Sequence, residues 1–266
     1  MREAVGSTAQ RGIRALKVAT AGLLGAFQAL LCVATTVVPL GAQEVEAYRI
    51  LKMDGHPVRW KRPDNGAPRV VTYRLVTEAV RIPGARNCRA LTSLDGLSAR
   101  SRLSLPAIRQ EIAAAFAMWE AAANITFKEA AEGAPADILI GAQMEPDGWA
   151  FADVFYDAAS PEAIKPISQA LVCLNPTRPW KVGFDGDLTA YDLRYTLAHE
   201  IGHAIGLDHP AGGNQIMAYR YEERFRALQP GDVRGAVALY GAPGAPTVVV
   251  ASGDPQGGGK ADRGAK

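Results

Sequence analysis

Three of the chain's four histidines fall inside eleven residues, as His199-Glu200-Ile-Gly-His203-Ala-Ile-Gly206-Leu-Asp-His209. On a helix, residues four apart stack with Cβ atoms roughly 5–6 Å apart. His199 and His203 can therefore reach one ion through Zn–N bonds of about 2.0–2.1 Å. Glu200, next in sequence, points to the side of that pair, where it is poorly placed as a ligand and well placed to accept a proton from water. Gly206 stands three residues past His203, where a left-handed helix exit is expected and glycine adopts it without a Cβ clash. The chain can then turn back and bring up His209 as a third ligand. Three histidines leave the fourth tetrahedral position open, which marks a catalytic rather than a closed structural zinc site. Satisfied core or surface histidines would have no reason to take this spacing.

The window reads H-E-x-x-H-x-x-G-x-x-H, and Gln215-Ile-Met217-Ala-Tyr219 follows it, with Met217 eight residues beyond His209. Together they resemble the metzincin signature of a histidine motif and a Met-turn, in the spacing of its matrixin branch, the matrix-metalloprotease-like group. The resemblance covers about residues 55–241. It implies an α+β, zincin-like fold: a mixed, twisted sheet of four to five strands with an active-site helix, a Met-turn and a C-terminal helix. It also implies one catalytic Zn2+, with Met217 packed beneath the histidines. A gap-filling core methionine is the plainer reading, of which packing under a metal is a special case. Zinc can lower the pKa of water from 15.7 to about 7, and Glu200 would take that proton and pass it to the leaving amine.

Tyr219 matches the tyrosine that astacins and serralysins place near zinc, where it could donate to an oxyanion. Matrixins generally lack it, so it is either a departure from the branch or an ordinary tyrosine. Gly148-Trp149-Ala150-Phe151 resembles the matrixin edge strand that pairs with an extended peptide upstream of the cleaved bond. Such pairing gives affinity with little demand on sequence. The other reading makes Trp149 or Phe151 a plain core aromatic, since alternation lets one set face inward. Residues 216–226 are expected to line the pocket on the other side of the bond. A matrixin's second, structural zinc needs further histidines, and His56 alone is left, so that site is expected to be missing. Asp153, Asp157, Asp185 and Asp187 are candidates for Ca2+, which takes oxygen ligands in loops.

The elements that must hold these residues can be read from patterning. Val70–Val76 is β-branched and aromatic, a strand; residues 125–127, 137–140, 148–156 and 170–174 read as the others. Gly84 to Leu103 reads as loop. A helix is expected from near Pro106, a favoured first-turn residue, to about Ala123, with Ile108, Ile112, Phe116 and Trp119 on one face. The catalytic helix is expected from near Thr189 to Gly206. A last helix runs from Pro230 to Tyr240, with Asp232 in its first turn and Gly241 at its exit.

Around this domain, taken as 69–241, lie other segments. Residues 1–42 carry Arg2, Arg11, Arg14 and Lys17 before an apolar run from Val18 to Leu40. This reads as an export signal peptide or an uncleaved N-terminal membrane anchor. Residues 43–68 read as a short lead-in that Pro57, Pro63 and Pro68 keep out of regular structure. Residues 242–266, rich in Gly, Pro and polar types, read as a disordered tail. Between Ala42 and the first strand no inhibitory prodomain of normal matrixin size is expected to fit.

Composition is ordinary for a globular protein, at 48% hydrophobic and 21% charged. Loss of residues 1–42 removes four basic groups and one acid, so the formal charge of +2 becomes −1. A near-neutral chain offers no electrostatic case for nucleic acid. Export leaves Cys88 and Cys173, for which one disulfide is a reasonable expectation. The matrixin propeptide switch sequence is missing around Cys88.

The leading expectation is a secreted (periplasmic or extracellular) zinc endopeptidase acting on an extended protein or peptide. Membrane contact would follow if the N-terminal segment stays uncleaved. Two alternatives stand beside it: a zinc hydrolase acting on a non-protein amide such as a cell-wall cross-link, and a binding module of the same fold without turnover. The intact Glu200 argues against the last.

Overall fold

A computed structural model describes residues 48–244. The signal or anchor at 1–42, the first residues of the lead-in and the tail beyond 244 lie outside the described residues. Five longer strands form the body of a mixed sheet: β4 (Arg69–Leu75), β7 (Ile125–Glu129), β8 (Ile138–Gln143), β9 (Ala150–Tyr156) and β10 (Lys165–Leu174). Their order is β7-β4-β8-β10-β9, parallel except for β9, which runs antiparallel to β10 at the edge. The central β8 is buried along its whole length, as a strand covered on both faces must be.

Alternation splits the sheet's two faces cleanly. Ile138, Ile140, Val172 and Leu174 pack into the main core with the helices. Leu139, Leu171 and Cys173 join Cys88, Val76 and Leu91 in a smaller core on the other face. There the expected Cys88–Cys173 disulfide is formed, with a Cα–Cα distance of 5.7 Å and 85 residues between its ends.

Helix α2 (Leu105–Ala122) starts where expected: Ser104 is its N-cap, its hydroxyl accepts from Ala107 N–H, and Pro106 sits in the first turn. Its apolar stripe of Ile108, Ile112, Phe116 and Trp119 is buried. The Trp119 indole N–H donates to Ala198 O at 2.9 Å, tying α2 to the catalytic helix α3 (Leu193–Ala204). The closing helix α4 spans Pro230–Tyr240 as read from the sequence.

Three expectations need correction. The catalytic helix starts at Leu193 rather than near Thr189, because the Asp192 carboxylate caps it by accepting from Tyr195 N–H. Tyr191–Asp192 instead forms β12, paired with β11 (Trp180–Lys181). The supposed loop 84–103 holds β6 (Ala90–Thr92), which pairs with β5 (Val80–Arg81) and β8, and α1 (Asp95–Ser101). The lead-in is not free of regular structure. It contains β1 (Arg49–Ile50), β2 (Lys52–Met53) and β3 (His56–Arg59). Pro57 is tolerated because it sits at the start of a short strand, where Val58 N–H, not its own, donates to Leu51 O. β3 extends the sheet beside β10, and β1 pairs with β13 (Leu207–Asp208).

Candidate metal centre and cleft

Helix α3 supplies His199 and His203 one turn apart, and then must stop so that His209 can return. Its last carbonyls would be orphans, and each finds a donor from a different part of the chain. Gly206 N–H takes His203 O, the Trp60 indole takes Ala204 O, the Tyr240 hydroxyl takes Ile205 O, and Leu51 N–H takes Gly206 O. Gly206 lies at φ +101, and a Cβ there would stand 2.3 Å from Val58 O. Glycine is required twice over, by conformation and by the lead-in strand pressed against it. The chain then runs through β13, held by β1, and delivers His209.

The three Nε2 atoms form a triangle with sides of 3.0, 3.1 and 3.2 Å. Three ligands on one tetrahedral zinc, each about 2.05 Å from it, would sit about 3.3 Å apart. The other ring nitrogens fix the tautomers. Nδ1–H of His199 donates to Ile216 O at 2.7 Å, and Nδ1–H of His203 to Leu207 O at 2.8 Å. Both Nε2 atoms therefore present lone pairs to one another, an arrangement that a cation between them relieves. Burial holds the His199 imidazolium far below its ordinary pKa and pushes His203 down to about 4; His209 is lowered too, again mainly by burial. Neutral imidazoles are the form that binds metal. The donor set fits zinc.

Glu200 lines the same cleft and is 7% exposed. Burial pushes its carboxyl up to about 8, against a smaller lowering pull from the nearby Ala152 backbone. Met217 is buried, and its sulfur lies against α3 at Gly202, between the two helical histidines: a Cβ on Gly202 would fall 2.2 Å from Met217 Sδ and 2.9 Å from Trp119 Cζ2. The turn carrying Met217 is fixed from α4. The Asp232 carboxylate accepts from Ile216 N–H, Met217 N–H and Gln229 N–H at 2.8–3.0 Å. Since Ile216 also accepts from His199, a carboxylate on the last helix orients a ligand on the third. Sequence reading gave Asp232 only a first-turn role, and it passed over Gly202.

A cleft of about 860 Å³ runs past these groups along β9. Among the described residues β9 pairs with β10 alone, and Ala150, Val154 and Tyr156 pack on the main core. Gly148 and Trp149 precede the strand, and their carbonyls are occupied: Asn175 donates to both, through Nδ2 to Gly148 O and through its N–H to Trp149 O. Of the expected segment, Ala150 and Phe151 lie in the strand and Gly148 and Trp149 in the turn before it. Trp149 and Phe151 share a parity yet pack on opposite faces of the sheet, Trp149 with the main core and Phe151 with the disulfide core. The turn at Gly148 ends before regular pleating begins.

Trp149 stacks on Tyr191, and Tyr191 on Tyr221, with centroids 3.7 and 4.0 Å apart. This aromatic wall, closed by Tyr195 edge-on to Tyr221, bounds one end of the cleft, and Tyr191 and Tyr195 were not anticipated. Of the segment 216–226, Ala218, Tyr219 and Tyr221 line the cleft. Tyr219 is 81% exposed and stands at the rim, its ring edge-on to His209 at 5.2 Å.

The four aspartates considered for calcium do not converge. Asp153 accepts from Asn87 and Cys88 and braces their loop on β9; Asp157 caps Ala159 N–H; Asp185 and Asp187 are engaged by Lys181 and Thr189. Among the described residues, the histidine triad is the group of acidic, thiol or imidazole side chains gathered closely enough to hold one ion.

The matrixin family model matches residues 95–241. The chain is 32% identical to matrix metalloproteinase-19 of Mus musculus over 144 residues, 53% of this chain and 26% of that protein. It is 33% identical to stromelysin-3 of Homo sapiens, over 51% of this chain and 28% of that protein. Against matrix metalloproteinase-23 of Homo sapiens it is 31% identical, over 53% of this chain and 39% of the relative. The chain thus spans well under half the length of the curated relatives it matches. With its family model covering more than half of the sequence, and that span containing the histidine motif and the methionine turn, the chain belongs to the matrixin family.

Proposed function

We propose that this chain is a zinc-dependent endopeptidase, exported from the cytoplasm, that cleaves extended peptide segments. The observation that carries the reading is the triangle of Nε2 lone pairs, set by two backbone carbonyls and standing beside a buried carboxylate in an open cleft. Zinc held by His199, His203 and His209 would supply Lewis acidity toward water and toward a carbonyl oxygen. Glu200 receives the proton of the attacking water and returns it to the leaving amine. Glu200 and the Ala152 backbone line the same cleft. Tyr219, at the rim beside His209, is a candidate donor to the developing oxyanion; its exposure leaves its ring free to swing inward. The free edge of Ala150–Tyr156 offers main-chain groups to an extended chain, which favours a peptide over a compact amide substrate. Export is supported by the basic and apolar N-terminus and by the disulfide, which persists in oxidising compartments.

The test is cleavage of casein or gelatin in a zymogram, with and without chelator. Activity should vanish with chelator and return with zinc. Glu200→Ala should retain one zinc per chain by elemental analysis and lose at least about a hundred-fold in rate; an undiminished rate in that variant rejects the mechanism.

A further inference from the structure

The family match begins at residue 95, yet part of the cleft is built by residues far upstream of it. Leu51 and Met53, from β2 and the residue before it, line the same cavity as His203, His209 and Glu200. Both are half-buried and rest on the main core, as do Val154 and Tyr156 of the edge strand, and all four line the cleft. They are anchored rather than loose. Leu51 N–H donates to Gly206 O at 2.8 Å, and the Tyr156 hydroxyl donates to Asp54 Oδ2 at 2.7 Å, joining the lead-in hairpin to the end of β9.

We propose that Leu51 and Met53 form, with Val154 and Tyr156, an apolar subsite that selects a large aliphatic side chain of the substrate at a distance from the cleaved bond. The position follows from register and rests on the peptidase reading above. Ala152 and Glu200 line the same cleft, with the Ala152 backbone near enough to the Glu200 carboxyl to act on its charge, so the bond being cut lies near Ala152. A strand rises about 3.3 Å per residue, which puts Val154 and Tyr156 two and four residues along β9 from that point. A peptide paired to this edge carries a side chain past Met53 two to four residues from its scissile bond, on the side away from Trp149. A serine or aspartate there would leave the apolar surface wet, and a leucine would cover it.

The experiment uses extended fluorogenic peptides in which one leucine is moved through a serine background, from the fourth residue before the bond to the fourth after it. For wild type, leucine at one position two to four residues from the bond should raise kcat/KM roughly ten-fold over serine. In Met53→Ser that ratio, taken within the variant itself, should fall below about two-fold, while Met53→Leu should keep it. A parallel readout is fluorescence anisotropy of the same leucine and serine peptides on zinc-loaded Glu200→Ala, with and without Met53→Ser. A preference absent in wild type, or undiminished in Met53→Ser, overturns the subsite while leaving the peptidase reading intact. Met53-dependent binding without any cleavage by wild type sinks the peptidase reading and leaves the subsite standing. Should Met53→Ser fail to fold, Leu51→Ala carries the same ratio test with the same two outcomes.

Discussion

Gly202 shows how much a single missing atom decides at this site. It separates the two helical ligands, and the methionine sulfur occupies the space its side chain would need. Gly202→Ala should lower stability by about 1–3 kcal/mol, the usual cost of overpacking, and weaken zinc retention. Met217→Ala should be destabilising alone and yet partly rescue Gly202→Ala, since the two changes compete for one volume. Denaturant unfolding of the two single variants and the double variant, with zinc titration, checks this; strictly additive losses would show that the contact is unimportant. The histidines and Glu200 were legible in the sequence because metal chemistry itself dictates their spacing. Gly202 was not, because its partner lies fifteen residues away in the chain, and nothing in the motif says which face of the helix the methionine will meet.

At the level of elements, the methionine turn has no regular structure and borrows its rigidity from α4. Asp232 satisfies three backbone N–H groups at once. Asp232→Ala leaves buried donors unpaired, so a loss of about 2–4 kcal/mol is expected, with reduced zinc affinity because Ile216 no longer holds the His199 ring. Asp232→Asn keeps an acceptor and should lose less. Thermal melts and competitive zinc binding measure both effects; a variant with normal metal affinity would break the proposed link between α4 and His199.

Elements with long periodic faces or strong caps, such as α2 and α4, were readable to within a residue or two. The start of α3 was missed because Asp192, a residue usable in either role, served as cap rather than helix interior. Two-residue pairings such as β1–β13 and β11–β12 carry no periodic signal, since their existence depends on which distant segment arrives beside them.

Across the whole molecule, the lead-in is the largest difference between what the sequence conveyed and what folds. Its prolines argued for an irregular segment, and patterning gave no hint that Trp60 and Leu51 would complete the end of the catalytic helix. The overall α+β plan, by contrast, was implied by the resemblance that the histidine motif and the methionine turn carry. The cleft therefore has an interior supplied mainly by the family span and an outer wall supplied by residues before it.

On the peptidase reading proposed above, the pairing of Ile50 with Leu207 has a bearing on when this molecule becomes dangerous to its surroundings. Two imidazoles can meet as soon as one local helix winds, but the third is steadied only when the front of the domain reaches its rear. Refolding in cobalt should therefore show the visible absorption of a tetrahedral ion growing only with the slowest step of chain closure. Colour appearing in the earliest phase would mean that the ion templates the fold instead. On this account a half-made chain is a poor cutter, and competence to digest arrives as the final act of assembly.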